Sequence, residues 1–236
     1  MAVPPDMTLR TLNGRFTINR TYSDSLDKMM ALQGFPYLVR MAARTASIEL
    51  NFTSIAIPEP ETPNRASKIR IATSVSAAGM SLGKQKVDER NIDGVPWEEN
   101  DGSLGPIVGR AWWCPLDELS LGFEGGKDEG KPEGLEFLKG FDGANGKDGD
   151  LGESRWQLKS GDGPGDGKAV EGGDEVIRLQ IEAKKSGALA DHVWGFESGF
   201  GEGEEKGKRR YTRRMLARKS GKIEMARLVY EYLGPS

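Results

Sequence analysis

Near its carboxyl end the chain reads Arg209-Arg-Tyr-Thr-Arg-Arg-Met-Leu-Ala-Arg-Lys-Ser-Gly-Lys-Ile-Glu-Met-Ala-Arg-Leu-Val-Tyr-Glu-Tyr232. Two alternating runs flank Ser220-Gly221, a dipeptide typical of a tight hairpin turn. Pairing Lys219 with Lys222 then fixes the register of the whole hairpin. In this register Tyr211 lies opposite Tyr230, and Arg213 lies opposite Leu228.

The two faces of this hairpin differ in charge. One face carries Tyr211, Arg213, Met215, Ala226, Leu228 and Tyr230, and the other carries Arg210, Thr212, Arg214, Arg218, Arg227 and Glu231. We expect the second, more charged face to lie in solvent. Water would then screen the unfavourable pairing of Arg214 with Arg227.

The inward face therefore contains one guanidinium, that of Arg213, between two phenols. An unpaired buried charge costs several kcal/mol, which leaves three interpretations open. The hairpin is an ordinary basic edge without a ligand, or an internal carboxylate pairs with Arg213, or a bound molecule supplies a carboxylate or enolate. The candidate internal carboxylates are Glu49, Glu182, Glu197 and Glu224.

The amino-terminal part predicts one strand and two short helices. Phe16 and Ile18 alternate on one strand face, and Ser23-Asp24-Ser25 offers side chains that cap a helix amino terminus. Gly34 is suited to end the first helix, and Pro36 to begin a second that runs to about Thr45.

Beyond the second helix the periodicity changes from helical to alternating, which predicts an antiparallel meander. No glycine-rich phosphate loop follows a strand and opens a helix, which disfavours nucleotide-binding α/β folds. The predicted strands span residues 47–57, 68–77, 84–91, 107–114, 175–183, 193–197, 208–218 and 222–233.

Composition excludes several classes of protein. The 236 residues include 33 Lys and Arg against 36 Asp and Glu, a balance that gives no support to nucleic-acid binding. No apolar run is long enough for a membrane span. A single cysteine, Cys114, and a single histidine, His192, exclude an internal disulfide and a Cys/His zinc site. We therefore expect no metal and a reducing, cytoplasmic location.

Glycine is concentrated in one segment, since residues 122–173 hold 16 of the 32 glycines. Such a segment buries too little apolar surface to offset its ordering entropy. We expect a largely disordered insert, interrupted by a short strand at 153–159. The predicted organisation is a single domain at 12–233 that contains this insert, preceded by a tail at 1–11.

The order of elements and several motifs resemble the fatty-acid-binding-protein-like branch of the calycins. The matching stretches are Gly14-Arg-Phe16, Met29-Met-Ala-Leu-Gln-Gly34 with Val39-Arg40, and Val229-Tyr230-Glu231. The chain is also similar to fungal lipocalin-like proteins at Asn19-x-x-x-Ser-Asp24, Leu32-Gln-Gly34, Trp194-Gly-Phe-Glu197, Arg210-Tyr211-x-Arg213-Arg214 and Leu228-Val-Tyr230.

This resemblance implies a mainly β fold, a single antiparallel calycin-like barrel of about eight to ten strands with a two-helix cap after the first strand. In the fatty-acid binders an Arg-x-Tyr pair on the last strand grips the ligand carboxylate. Tyr230 matches that tyrosine, whereas Leu228 stands in the place of the arginine. Arg213, directly across from Leu228, is positioned to supply the guanidinium instead.

We therefore expect the barrel to bind a small hydrophobic molecule that bears an acidic or carbonyl group. Arg213, Tyr211 and Tyr230 would orient this molecule, and Trp194 is a further candidate binding residue. The apolar contacts would come from Leu228, Ile48, Leu50, Phe52, Ile69, Ile71, Ile177, Leu179 and Ile181.

The alternative is a cofactor-free isomerase or cyclase of fungal secondary metabolism, acting in the same cavity. Arg213 would then stabilise developing oxyanion character. His192, next to Asp191 in sequence, or Glu197 would move protons. Neither function requires a cofactor.

Overall fold

The chain forms one strand, then two short helices, then a succession of strands, the order that its patterning predicts. The computed structural model describes residues 1–56, 66–77, 80–81, 85–121, 132–142, 156–157 and 175–236. The helices are α1 Asp27–Gln33, α2 Tyr37–Thr45 and α3 Pro132–Leu138. The strands are β1 Asn13–Ile18, β2 Ser47–Ala56, β3 Ala66–Ala77, β4 Met80–Ser81, β5 Lys86–Asn91, β6 Trp97–Asp101, β7 Gly105–Pro115, β8 Glu175–Ala183, β9 Ala188–Glu197, β10 Arg210–Lys219 and β11 Lys222–Gly234.

All strands belong to one curled antiparallel sheet. The order is β4-β3-β2-β1-β11-β10-β9-β8-β7-β6, and β5 pairs with β3 alongside β4. The first strand pairs with the last, which closes the amino-terminal part of the sheet onto the carboxyl-terminal hairpin. The predicted mainly β, antiparallel arrangement with two helices after the first strand is thus confirmed. β6, which supplies one edge of the sheet, was not predicted.

The carboxyl-terminal hairpin has the predicted turn and register. Ser220 and Gly221 both adopt positive φ angles, of 50° and 75°, as a two-residue hairpin turn of this kind requires. Tyr211 pairs with Tyr230, and Arg213 pairs with Leu228. The prediction of which side chains share a face is therefore confirmed.

Both helices end as predicted and α2 begins as predicted, but α1 begins differently. Gly34 has a φ of 98° and its N–H bonds to the carbonyls of Met30 and Ala31, which ends α1. Pro36 directly precedes α2. The expected capping role of Ser23 and Asp24 is wrong. Ser23 bonds the backbone of Val229, and the Asp24 carboxylate accepts from the backbone N–H of Arg227.

The prediction that the charged face of the hairpin lies in solvent is also wrong. Arg210, Thr212 and Arg214 are fully buried or nearly so. A second layer, which includes α3, covers part of this face, and Leu138 packs with Leu216 in a separate apolar cluster. This layer comes from the segment 122–173, of which the structure describes 132–142 and 156–157. The remainder of the predicted insert lies outside the described residues.

Two further segments correct the sequence analysis. In the predicted tail at 1–11, Val3, Met7 and Leu9 are buried in the main core. Of the strand predicted at 153–159, Trp156 forms an isolated bridge with Glu197. None of the described helices is long and apolar enough to cross a membrane.

Candidate functional site

The concave side of the sheet gathers the residues that the sequence analysis assigned to a ligand cavity. Leu50, Phe52, Ile71, Leu179, Leu228, Trp194, Tyr211 and Tyr230 all belong to one core cluster, together with Ile69 and Ile177, while Ile48 and Ile181 pack against it. Strands from both halves of the sheet contribute to this cluster. Their alternating patterns therefore place these apolar side chains on a common inner surface.

Arg213 projects from the middle of β10 toward this surface. Its cross-strand neighbours are Leu228 and Trp194. The guanidinium carbon lies 4.3 Å from the Trp194 ring centroid and 5.6 Å from those of Phe52, Tyr211 and Tyr230. Aromatic faces attract a cation, so these rings stabilise the guanidinium while they shield it partly from water.

The hydrogen bonding of Arg213 is incomplete. Its Nε donates to the Tyr211 hydroxyl at 2.9 Å, whereas Nη2 is buried and has no hydrogen-bond partner among the described residues. The same is true of Trp194 Nε1 and His192 Nε2. Buried polar groups are nearly always satisfied. Of these atoms, Arg213 Nη2 and Trp194 Nε1 are donors on paired residues of adjacent strands, and an acceptor group would satisfy them.

His192 and Arg213 are both half-buried, although each projects from the middle of its strand toward the core. His192 pairs with Leu179 on one side and Met215 on the other, and both of these neighbours belong to the inner cluster. The accessible part of His192 therefore faces the interior. Since residues 213 and 192 are diagonal neighbours on adjacent strands, their Cα atoms are about 7–8 Å apart.

His192 is neutral at physiological pH. Burial, reinforced by the nearby charge of Arg213, lowers the pKa of its imidazole to about 3. The neighbour Asp191 does not assist it, because Asp191 lies on the other face of the sheet, bound to Arg178 and Gln180. His192 is thus suited to hydrogen bonding and poorly suited to proton transfer near neutral pH.

The two phenols are also uncharged. Burial raises the pKa of Tyr211, against the opposing effect of the Arg213 charge. Burial likewise raises the pKa of Tyr230. The immediate surroundings of Arg213 thus combine one cation with the neutral hydrogen-bonding groups of His192, Tyr211 and Tyr230, none of which titrates near neutral pH.

The expectation that Glu197 lies on the same inner face as Arg213 is wrong. Glu197 pairs in register with Arg210, so its side chain points to the outer layer. There it accepts hydrogen bonds from Arg214 Nε at 2.7 Å and Nη2 at 3.1 Å. Its carboxylate is fully buried in this ion pair, and it is therefore separated from the inner site by the sheet.

Sequence reasoning missed a group of charged residues that also face the interior. Asp88 and Arg90 on β5 pair with Ile71 and Ile69 of the core. Arg90 donates to Asp88 at 3.3 Å and to Glu99 on β6 at 3.0 Å, and it stacks 4.2 Å from the Trp97 ring centroid. These contacts join β5 to β6 through side chains.

A signal for this group existed in the sequence. The segment 86–91 alternates, and its neighbour β3 puts Ile69 and Ile71 inside, so Asp88 and Arg90 share the inner side. Gly109 on β7 is a second signal, because a glycine within a strand often lies where another group closely approaches the backbone. A side chain at Gly109 would collide with the Trp97 indole.

Outside this interior, a cleft of about 280 Å³ opens beside α1 and α2. It is lined by Arg20, Ser23, Asp24, Ser25, Leu26, Asp27, Met30, Arg40, Ala43 and Arg44. None of the residues predicted for the site lines it. Within the described ranges, no group of three or more His, Cys, Asp or Glu is arranged to hold a metal ion.

Comparisons with known proteins place the chain near two fungal proteins. It is 24% identical to the pericyclase pydY of Acremonium sp over 100% of this chain and 98% of that protein. It is 23% identical to the probable pericyclase scpY of Mollisia scopiformis, over 99% of this chain and 96% of that protein. No family model matches the chain.

Among solved structures, the chain is similar to fatty-acid-binding protein 1 of Echinococcus granulosus. The sequence identity is 10%, the TM-score is 0.45, and the match covers 96% of this chain and 100% of that one.

Proposed function

We propose that the protein binds a small hydrophobic molecule bearing an acidic or carbonyl group on the concave side of its sheet. The observation that carries this proposal is the unsatisfied donor group of Arg213 Nη2 and Trp194 Nε1, set among apolar and aromatic side chains. An oxygen acceptor placed there would satisfy donors that otherwise lack partners. The surrounding apolar walls would bind the rest of the molecule.

The test is to purify the full chain from its native host and to analyse co-purifying small molecules by mass spectrometry. Arg213→Met removes the guanidinium and keeps much of the side-chain volume. Arg70→Met is the matched control, because Arg70 is half exposed on a neighbouring part of the sheet. We expect a bound molecule with the wild type and the control, and its loss with Arg213→Met. Equal recovery from all three would refute the proposal.

We propose as a second candidate that the same cavity performs a cofactor-free cyclisation or isomerisation. The observation that favours it is the end-to-end similarity to two proteins named as pericyclases. A pericyclic reaction moves electron pairs in one concerted step through a cyclic transition state, so it requires no enzyme nucleophile and no proton relay. A site with a cation, neutral donors and no group titrating near neutrality suits such chemistry.

In this reaction the walls would hold the substrate in a reactive, folded conformation. Arg213 and Trp194 would donate to a carbonyl oxygen and stabilise the charge that develops there. His192 would contribute a hydrogen bond without changing its charge. The proton-transfer role expected for Glu197 has no place in this scheme.

The test is to delete the gene in its native host and to compare the metabolites before and after complementation. Catalysis predicts that a linear precursor accumulates in the deletion strain. The wild type and Arg70→Met would restore the cyclised product, and Arg213→Met would restore little of it. An unchanged metabolite profile in the deletion strain would eliminate the catalytic candidate and leave the binding proposal standing.

A further inference from the structure

The interior carries carboxylates as well as the Arg213 cation, and their placement bears on which ligands fit. Asp88 shares its face with Ile71, its partner on β3, and is about three-quarters buried. Glu99 pairs with the buried Ile107 on β7, and Asp101 pairs with Gly105 two positions along on the same face. These three carboxylates therefore line the β5 and β6 walls.

Two cations partly neutralise these walls. Lys86 lies 3.5 Å from Asp88 and 3.8 Å from Asp101, and Arg90 lies 3.0 Å from Glu99. Three carboxylates against two cations leave one surplus negative charge on the described part of these walls. Arg213, across the interior, carries the charge that offsets it.

Asp88 is coupled to Arg213 through the core. The guanidinium of Arg213 lies 5.6 Å from the Phe52 ring, Phe52 pairs with Ile71, and Ile71 pairs with Asp88. Burial lowers the pKa of Arg213, but the net shift is upward, mainly through Tyr211 and Tyr230, and the negative charge of Asp88 adds a smaller contribution in the same direction. Asp88 therefore lies on the same inner face as Phe52, two strands further along the sheet, and its charge acts on Arg213.

We propose that Asp88 makes the cavity selective for an uncharged carbonyl group over a carboxylate. This inference rests on the proposed binding function. A carboxylate at Arg213 would lose its hydration and would also be repelled by Asp88, which belongs to a group with one surplus negative charge. A ketone or ester oxygen would accept the same hydrogen bonds without that repulsion.

The test uses two probes with the same alkyl chain, dodecanoic acid and methyl undecyl ketone. Each displaces Nile red, a neutral fluorophore, from the full-length protein at about pH 7.5, where the free acid is ionised. We expect the ketone to bind the wild type about tenfold more tightly than the acid, the effect of a like charge that shifts a pKa by about one unit.

Asp88→Asn removes the charge and keeps the shape of the side chain. In this variant the acid should gain about tenfold in affinity, and the ketone should change by less than about twofold. Glu89→Gln is the matched control, since Glu89 is the next residue along the strand and is about half exposed beside Lys68. It should leave both affinities unchanged.

The outcomes separate this inference from the proposal on which it rests. If the acid binds the wild type as tightly as the ketone, the selectivity is refuted while binding stands. If neither probe displaces Nile red, both the selectivity and the binding function are overturned. Because the wild-type comparison uses no variant, the result does not depend on whether Asp88→Asn folds.

Discussion

Two arginines adjacent in sequence, Arg213 and Arg214, occupy opposite faces of β10 and have opposite surroundings. Arg214 donates six hydrogen bonds, to Glu197, to Asp142 and to the carbonyls of Phe137, Gly140 and Phe141. Arg213 donates one, to Tyr211, and its Nη2 lacks a partner among the described residues. Burial alone therefore does not distinguish a structural arginine from one available to a ligand, whereas hydrogen-bond satisfaction does.

The outer arginine anchors the second layer. The carbonyls that it binds lie at and just beyond the carboxyl end of α3, where a helix leaves acceptors unsatisfied and a cation is favourable. Asp142 also accepts from Arg227 at 2.8 Å. The pairing of Arg214 with Arg227 is therefore neutralised by Asp142 and Glu197, and not by water as the sequence analysis supposed.

The largest expected effect on stability comes from replacing Arg214 by methionine, and Arg213→Met is the comparison. Arg214→Met leaves the buried Glu197 carboxylate and several carbonyls unpaired, and it should cost about 3–5 kcal/mol of unfolding free energy. In a domain of this size that corresponds to a fall in melting temperature of roughly 10 °C. Arg213→Met removes an incompletely paired cation, so its stability should stay within about 1 kcal/mol of the wild type or rise.

Denaturant unfolding monitored by circular dichroism measures both variants. Equal destabilisation by the two substitutions would contradict the distinction between the two arginines. Ligand affinity should show the reverse order. Arg213→Met should lose more affinity than Arg214→Met, because only Arg213 faces the interior.

A second, smaller effect is expected for Glu197→Gln. The amide keeps the shape of the carboxylate but weakens its ion pair with Arg214, and it should cost about 2 kcal/mol in denaturant unfolding. Ligand affinity should not change, because Glu197 lies on the outer face. A loss of binding in a variant with near-normal stability would restore Glu197 as a member of the site.

The sequence was sufficient to predict the inner face of the carboxyl-terminal hairpin, on which Arg213 lies. Alternation and the Ser220-Gly221 turn determine the register of the hairpin, and the register determines that Arg213 shares a face with Tyr211 and Tyr230. Gly34 and Pro36 likewise marked the boundary between the first two helices. These are local signals, each with a direct backbone consequence.

The burial of the outer face of the hairpin, on which Arg214 lies, could not be predicted in the same way. A charged strand face is usually solvated, and nothing within β10 indicates that α3 covers it. The helix itself lies in a glycine-rich segment, whose average composition concealed Leu135 and Leu138 at helical spacing. Burial of Arg214 thus depends on a tertiary contact between β10 and residues about 75 positions earlier. The charged residues on β5 and β6 were missed because their interior position depends on pairing with β3 and β7.

The third prediction concerns pH. Because the folded pKa of His192, about 3, is lower than its unfolded value near 6.5, the unfolded chain binds more protons between these values. The contribution of His192 to stability is therefore complete above about pH 6.5 and is lost as the pH falls toward 3. His192→Gln should remove a loss of about 1.4 kcal/mol that the wild type suffers between pH 7.5 and 5.5.

The measurement is the unfolding free energy of both proteins at several pH values in this range. A wild-type curve that is flat between pH 7.5 and 5.5, or one that is unchanged by His192→Gln, would show that His192 is not held neutral.

The smallest effect is expected for the hydroxyl that Arg213 contacts. Tyr211→Phe removes the acceptor of the 2.9 Å hydrogen bond from Arg213 Nε and should cost about 1 kcal/mol in denaturant unfolding. Tyr230→Phe is its matched partner, because the Tyr230 ring lies at the same 5.6 Å from the guanidinium carbon. We expect Tyr211→Phe to weaken ligand binding more than Tyr230→Phe does, since only Tyr211 fixes the direction of the guanidinium through Nε. Equal losses would mean that the two phenols act on the ligand directly and that Arg213 needs no internal acceptor to hold its orientation.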